Sequence, residues 1–285
     1  MQVVITLAGQ GTRFSEKGYL EPKPAVLAGG RPVIVYLIES FSKDASLFFV
    51  IGEHFRNSNL ETVIKEAAPS AEVIYTPFSS RGPIDTCRAA LPFLDPEQSV
   101  LTSYCDLALV WDHADFIKAV AGYDMALVNY QGFHPTYFGP NSYCHVSVSK
   151  EDQTVISVQE KKLYTDAIEK EITSAGLYYF KNARLFAEAL DLQLQQNLKY
   201  GEEFYISLAV QAMQNRKSDL RILDYRVDYV VQFGTPQDVD RFEFWYQMLV
   251  LKKLTSKMAI EKFEQEKKYW TDVFTSKQFQ LGQNN

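Results

Sequence analysis

Val3-Val4-Ile5-Thr6-Leu7-Ala8-Gly9-Gln10-Gly11-Thr12-Arg13 passes from a β-branched apolar run straight into a glycine-containing turn. Val3 to Leu7 is short and continuously hydrophobic, the pattern of a strand buried on both faces of a parallel sheet. Gly9 and Gly11 leave the turn without Cβ atoms, so backbone N–H groups can face an anion and a nucleotide can approach closely. Taken alone, Gly-x-Gly also reads as a plain turn closing a strand. It is not a G-x-G-x-x-G fingerprint, because Phe14 stands at the third glycine and the pattern shows no helix opening at once. A Walker A loop is excluded by the missing Gly-Lys-Ser/Thr.

Downstream, apolar strands and helical periodicities alternate. An irregular stretch runs to Pro24, then Pro32 to Phe41 predicts a helix and Leu47 to Ile51 a second buried strand. Leu60 to Ala68 predicts a helix, Glu72 to Tyr75 a strand, Asp85 to Leu94 a helix and Val100 to Tyr104 a strand. This alternation implies βαβ units and a mainly parallel sheet flanked by helices, an α/β fold. From about residue 125 the pattern becomes mixed. Strands are expected at Met125–Tyr130, His145–Ser149, Val155–Gln159, Ala175–Phe180 and Leu220–Tyr225, with antiparallel pairings, and helices at 183–196 and 204–215. After Pro236 only helix signal remains. Asp238 to Glu266 carries Val239, Phe242, Trp245, Tyr246, Leu249, Val250 and Leu254 near three-to-four spacing, an apolar stripe that must pack on the domain or on a second subunit. The final Leu281-Gly282-Gln283-Asn284-Asn285 reads as a disordered tail.

The 285 residues carry 29 Lys+Arg against 35 Asp+Glu, a formal net charge of -6 with no long basic run. That argues against a general duplex-DNA or anionic-membrane binder, because phosphate backbones demand clustered cations. A small polyanion needs only two or three well-placed ones. The longest apolar run, Val33 to Ile38, is far short of the roughly 20 residues that span a bilayer. No targeting segment is visible at Met1-Gln2-Val3-Val4, and Cys87, Cys105 and Cys144 form no CxxC pair. The expectation is a reduced cytoplasmic protein.

Past the turn stands Pro22-Lys23-Pro24, in which two prolines stiffen the backbone around one lysine. A glycine-rich loop, Arg13 at its end and a clamped Lys23 are the parts needed to handle a triphosphate. Leu7-Ala8-Gly9-Gln10-Gly11-Thr12-Arg13-Phe14, Pro22-Lys23-Pro24, Asp106 after a strand, Glu160-Lys161-Lys162 and Ala175-Gly176-Leu177-Tyr178-Tyr179-Phe180 occur in that order. Together they resemble the nucleotidyltransferases that make nucleotide-activated sugars and related compounds, over residues 1 to about 240. The paired loop and Pro-Lys-Pro motifs carry most of the specificity. Gly132-Phe133-His134-Pro135 and Phe233-Gly234-Thr235-Pro236-Gln237-Asp238 resemble members associated with capsule or surface polysaccharide synthesis.

The resemblance implies a Rossmann-like fold, a catalytic domain at 1–240 and a helical C-terminal extension at 241–285. It also implies Mg²⁺-dependent transfer of a nucleotidyl group from an NTP, with CTP favoured, to a phosphorylated small acceptor such as a sugar 1-phosphate. Arg13 and Lys23 are then catalytic, and Leu7, Ala8, Gly9, Gly11, Thr12 and Gly82 contact the nucleotide. Glu160, Lys161 and Gly176 contact the acceptor, and Asp106 binds the metal. The second metal ligand of the family lies just ahead of a Gly-Thr pair; here Gln232 stands where an aspartate is common, with Asp228 as a possible substitute. Plainer readings stand beside these roles. Asp106 and Asp112 also fit helix or turn capping, Asp85 fits a helix N-cap, and Glu160-Lys161 fits a solvated turn. His134 is the one histidine expected near the acceptor. Gln232 also supports a different reading, a nucleotide- or sugar-phosphate-binding module without catalysis. A glycosyltransferase would want Asp-x-Asp, and Leu107-Ala108 follow Asp106 instead. No nucleic acid or membrane partner is expected, and the C-terminal helix is a candidate homodimer interface.

Overall fold

Val3, Ile5 and Leu7 turn to one face of a central sheet and Val4 to the other, so strand β1 (Gln2–Leu7) is buried along its whole length. This is the strand alternation of period two applied to a sheet covered on both sides. The computed structural model describes residues 1–138, 143–217, 219–252 and 261–280. β1 is followed by helix α1 (Thr12–Ser15), a hairpin of β2 (Leu27–Ala28) and β3 (Arg31–Pro32), and helix α2 (Val33–Glu39). Then come β4 (Ser46–Gly52), α3 (Leu60–Ala67), β5 (Glu72–Thr76), α4 (Pro83–Ala90), β6 (Val100–Tyr104), β7 (Leu107–Val110) and α5 (His113–Ala119). The second half comprises β8 (Met125–Gln131), β9 (Cys144–Val148), β10 (Val155–Glu160), β11 (Ile172–Phe180), α6 (Ala183–Gln195), α7 (Ile206–Arg216), β12 (Ile222–Arg226) and β13 (Tyr229–Gln232). Helices α8 (Pro236–Leu249), α9 (Glu261–Thr275) and α10 (Lys277–Gln280) complete it.

β6, β1, β4 and β5 lie side by side and parallel. β11 runs antiparallel to β6 and β8, and β12 joins β8 in parallel. β9 and β10 form an antiparallel pair beside the start of β11. The architecture is the predicted Rossmann-like mixed sheet flanked by helices. The chain leaves β1 toward β4 and β5 on one side and returns to β6 on the other. The carboxyl ends of β1 and β6 therefore straddle the topological switch point, where open α/β sheets bind ligands.

One face of the sheet is packed by α4, α6 and α7 and the other by α2, α3 and α5. A third cluster unites Phe14, Tyr36, Val231, Phe233, Phe242, Trp245, Trp270 and Phe274. It joins β13 and α8 to α9, and residue 240 falls within α8. The stripe read as one helix over 238–266 is instead two helices. α8 ends at Leu249, and the later helix α9 packs back so that Trp270 sits edge-on to Phe242. Part of the expected helix, residues 253–260, and the expected tail, residues 281–285, lie outside the described residues.

Other boundaries moved for local reasons. The stretch read as irregular contains α1 and the β2–β3 hairpin. α4 begins at Pro83, before Asp85, because Pro at the first helical position suits a helix start and Gly82 precedes it at φ 77°. Asp85 is thus inside the helix, where it accepts hydrogen bonds from Ser79 and Arg81, and is not its N-cap. Asp112 does cap α5, accepting from the N–H groups of Ala114 and Asp115. β7 and β13, neither of them predicted, pair antiparallel as a small separate sheet.

Phe242 is fully buried among Tyr36, Phe233, Trp270 and Phe274. Truncating a buried aromatic costs about 3–5 kcal/mol through lost transfer energy and the cavity left behind. Phe242→Ala is expected to lower unfolding stability by that amount in urea titrations; a loss below about 1 kcal/mol would show that α8 contributes little to the folded unit.

Candidate functional site

The turn after β1 and the turn after β6 face each other across one cleft of about 1010 Å³, which reaches the upper end of ordinary ligand-site volumes. Leu7, Ala8, Gly9, Gly11, Thr12 and Arg13 form its floor on the β1 side. Gly11 adopts the left-handed conformation, φ 66°, and its position leads directly into α1. A Cβ there would meet Lys23 Cβ at 3.5 Å, so the loop and the lysine segment are in close contact. Phe14, at the position where a dinucleotide fingerprint would have glycine, is buried under the loop as part of the third core cluster. Arg13, in α1, is exposed and lines the cleft.

Lys23 opens a short 3-10 turn after Pro22, and Pro24 follows it. Its Nζ stands 2.5 Å from Oδ2 of Asp106, with both side chains 20% exposed. Burial works against the ammonium, but the Asp106 carboxylate and the neighbouring Cys105 outweigh it, so the Lys23 pKa lies above its ordinary value. The lysine stays charged where phosphates would lie. The turn that carries Asp106 is tied to β13, since Phe233 N–H donates to the Asp106 carbonyl at 2.7 Å and Gln232 sits in register with Leu107.

Gln232 lines the cleft, and so does a residue sequence reasoning left out of the site, Asp238. A Cβ on Gly234 would meet Asp106 Oδ2 at 3.2 Å and Asp238 Oδ2 at 3.7 Å, so both carboxylates crowd the same backbone atom. Asp238 also closes a capping box on α8: Thr235 N–H and hydroxyl donate to Oδ2 at 2.8 and 2.7 Å. Burial, with Asp106 adding to it, raises the Asp238 pKa against the Thr235 hydrogen bonds. The T-x-x-D spacing was a readable capping signal, but that it points at Asp106 depends on β13 pairing with β7. Asp228 is exposed and does not line the cleft, so it does not substitute for Gln232.

Among the described residues no group of three or more His, Cys, Asp or Glu is arranged to hold a metal ion. The Asp106 and Asp238 carboxylates and the Gln232 amide oxygen, all lining that cleft, nonetheless fit Mg²⁺, which takes hard oxygen ligands, keeps several waters and shares substrate phosphates.

The far wall is built by β10, β11 and the turn before α7. Glu160, at the end of β10, is buried and accepts the Ser207 hydroxyl at 2.6 Å. Lys161 takes a left-handed conformation, φ 56°, and its Nζ donates to the Tyr205 hydroxyl at 2.6 Å while lying over the Tyr205 and Tyr200 rings. The Tyr205 hydroxyl in turn donates to Glu203. These contacts hold Lys161 in the cleft wall, unlike a solvated turn. Gly176 sits at φ 87° where the β11–β8 register shifts, and a Cβ would come within 2.7 Å of Tyr104. Gly82 likewise leaves 3.3 Å to Glu203 Cβ at φ 77°. The loop residues, Arg13, Lys23, Gly82, Asp106, Glu160, Lys161, Gly176 and Gln232 thus line one cleft. His134 does not. Its Nε2 donates to the Val230 carbonyl at 2.5 Å, its Nδ1 accepts from Thr136 Oγ1 at 2.7 Å, and burial pushes its pKa down to about 4. It is a neutral pin behind the wall.

A family model of MobA-like NTP transferase domains matches residues 3–167. The chain therefore belongs to the MobA-like NTP transferase domain family and is a nucleotidyltransferase. Solved structures share the fold. A nucleoside-diphosphate-sugar pyrophosphorylase from Vibrio cholerae RC9 superposes with a TM-score of 0.70 at 20% identity, covering 85% of this chain and 99% of that one. A UDP-glucose pyrophosphorylase complexed with UDP-glucose gives 0.68 at 15% identity over 87% and 98%. The inositol-1-phosphate CTP transferase from T. maritima gives 0.64 at 13% identity over 91% and 98%. No curated protein sequence matches the chain significantly. Among the described residues no helix is long and apolar enough to cross a membrane.

Glu160 offers a test of the buried wall. Burial raises its pKa, with Glu203 adding to the rise and Ser207 and Lys161 opposing it. The folded chain then binds this proton more tightly than the unfolded chain, so the associated stability is complete below the ordinary glutamate pKa and is lost as pH rises through the native value. Glu160→Gln keeps the Ser207 hydrogen bond without the charge. Its melting temperature is expected to exceed that of the parent by a few degrees at pH 7 and to match it near pH 4. An equal shift at both pH values would rule out burial of the charge as the cause.

Proposed function

We propose that the protein is a Mg²⁺-dependent nucleotidyltransferase that joins a nucleotide to a phosphorylated small acceptor, such as a sugar 1-phosphate, and releases pyrophosphate. The observation that carries this reading is the Lys23–Asp106 pair at the switch point, beneath the glycine loop and in the same cleft as Glu160 and Lys161. An oxygen of the acceptor phosphate attacks the α-phosphorus of the NTP. A new P–O bond forms as the bond to the β-phosphate breaks, and the electron pair leaves on pyrophosphate. No protein nucleophile is needed, so the work is positioning and charge neutralisation. The raised pKa of Lys23 keeps an ammonium beside the α-phosphate, and exposed Arg13 faces the outer phosphates from α1. Leu7, Ala8, Gly9, Gly11 and Thr12 hold the triphosphate, and Gly82 lets the chain pass close to the base. Glu160 and Lys161 contact the acceptor, and Gly176 leaves it room.

Asp106 would hold Mg²⁺ with Gln232, and Asp238 stands close enough to add the charge an amide lacks. When bound, the ion supplies Lewis-acid stabilisation of the charge building on the phosphate oxygens. CTP is our choice of nucleotide, supported by the likeness to the T. maritima inositol-1-phosphate CTP transferase. A role in capsule or surface polysaccharide synthesis, in the cytoplasm where NTPs are available, rests on the Gly132–Pro135 and Phe233–Asp238 segments. We place the catalytic domain at residues 1–240 and its helical extension at 241–285, a boundary that falls inside α8. A homodimer through that extension would use the side of α8 with exposed Phe244, since Val239, Phe242 and Trp245 are buried in the chain's own core. Light scattering giving a single-chain mass excludes it.

The second reading, a binding module without turnover, draws on Gln232 in place of a carboxylate. Pyrophosphate release with Mg²⁺, a panel of NTPs and phosphorylated acceptors separates the two. Turnover with CTP and a sugar 1-phosphate, abolished by a chelator and restored by Mg²⁺, is expected. Lys23→Ala should lower kcat at least roughly 10²–10³-fold with an unchanged circular dichroism spectrum, the cost of losing one charge-stabilising donor. Turnover close to the parent's in that variant would sink the assignment.

A further inference from the structure

α8 turns its apolar side into the third core cluster and Arg241 toward the cleft. Arg241 lines the same wall as Thr136, Tyr143, Gln232 and Asp238. Its guanidinium is held by contacts from two other elements. NH1 donates to the Pro135 carbonyl at 2.7 Å, and Nε lies 3.1 Å from Oε1 of Glu266 on α9. That same carboxylate oxygen accepts the indole N–H of Trp245 at 2.9 Å and of Trp270 at 3.3 Å, and Glu266 is only 13% exposed. Two indole donors on one carboxylate oxygen fix its place, and through the ion pair the place of the arginine. A second link from α9 reaches the same wall. The Tyr269 hydroxyl shares the Val230 carbonyl with His134, and His134 in turn accepts from cleft-lining Thr136.

A planar guanidinium presents fixed donors suited to a phosphate, and restraining it in advance lowers the entropy lost when an anion binds. The glycine loop, Arg13 and Lys23 occupy the β1 side of the cleft, where the triphosphate is placed; Arg241 adds a cation on the wall formed by β13, α8 and the Pro135 turn. We propose that Arg241 binds the phosphate of the acceptor and that Glu266 is a positioning residue for it, so that the C-terminal extension completes the acceptor half of the site. The proposal rests on the nucleotidyl-transfer reading for its chemistry, but phosphate recognition by Arg241 can be measured without turnover.

The test uses the full chain with Arg241→Met, Arg241→Lys and Glu266→Gln, each checked for a cooperative thermal melt. In steady state with CTP and glucose 1-phosphate, Arg241→Met should raise the acceptor KM about 10–100-fold, the range for a lost charge-assisted hydrogen bond. KM for CTP should stay within about twofold, and Arg241→Lys should recover part of the loss because it retains the charge. Glu266→Gln should raise the acceptor KM by a smaller factor, again without moving KM for CTP. A purely structural role would move both constants or only the melting temperature. An unchanged acceptor KM, or a rise confined to CTP, overturns the proposal. Ligand-observed NMR with glucose 1-phosphate is run on the same proteins. Binding by the parent and not by Arg241→Met, without turnover in either, would keep Arg241 and overturn nucleotidyl transfer. Equal binding in both, or none in either, overturns the role of Arg241.

Discussion

The ion pair between Lys23 and Asp106 ties together the two sides of the switch point. Lys23 comes from the segment after β1, Asp106 from the turn after β6, and parallel pairing of β1 with β6 sets how far apart those turns stand. Neither charge is fully exposed, and each lowers the cost of holding the other in a partly dry cleft. The pairing also explains why the lysine lies between prolines. A flexible lysine would keep its ammonium in water, whereas the short turn starting at Pro22 directs it inward.

Everything else at the site is arranged around that turn. β7 continues directly from Asp106, pairs with β13, and so brings Gln232, Gly234 and the capping residues of α8 against the Asp106 carboxylate. Gly234 eases the close approach, since a Cβ there would lie 3.2 Å from Asp106 Oδ2 and in contact with Asp238. Because α8 starts at this point, the packing of Phe242 and Trp245 beneath it is coupled to the geometry of the cleft. The helices past residue 240 are anchored by the same cluster that buries Phe14 under the glycine loop.

Much of this was legible in the residues. The β1–loop segment, the Pro-Lys-Pro clamp, the strand leading to Asp106 and the Glu160-Lys161 pair were all assigned by type and order, and all meet in one cleft. Asp238 was missed as a site residue because a T-x-x-D pattern signals a helix cap, and nothing local shows what that cap faces. Arg241 was missed because on an amphipathic helix it reads as one polar residue among several. His134 was misplaced for the converse reason. A histidine in a Gly-Phe-His-Pro turn looks available, and only the Val230 carbonyl and the Thr136 hydroxyl, distant in sequence and next to it, show that it is committed elsewhere.

From the sequence alone came the α/β class, the alternation that places ligands at strand ends, and the residues proposed to handle phosphate. These follow from periodicity, glycine and proline stereochemistry and charge, all local properties of the chain. Tertiary structure alone decided that a two-strand pairing of β7 with β13 brings a second carboxylate to Asp106. It also decided that the C-terminal stripe is two helices folded onto the chain's own core, and that Glu266 reaches Arg241. Those contacts join residues far apart in sequence, and their energy comes from burial and hydrogen bonds that exist only once the sheet has set the distances between them.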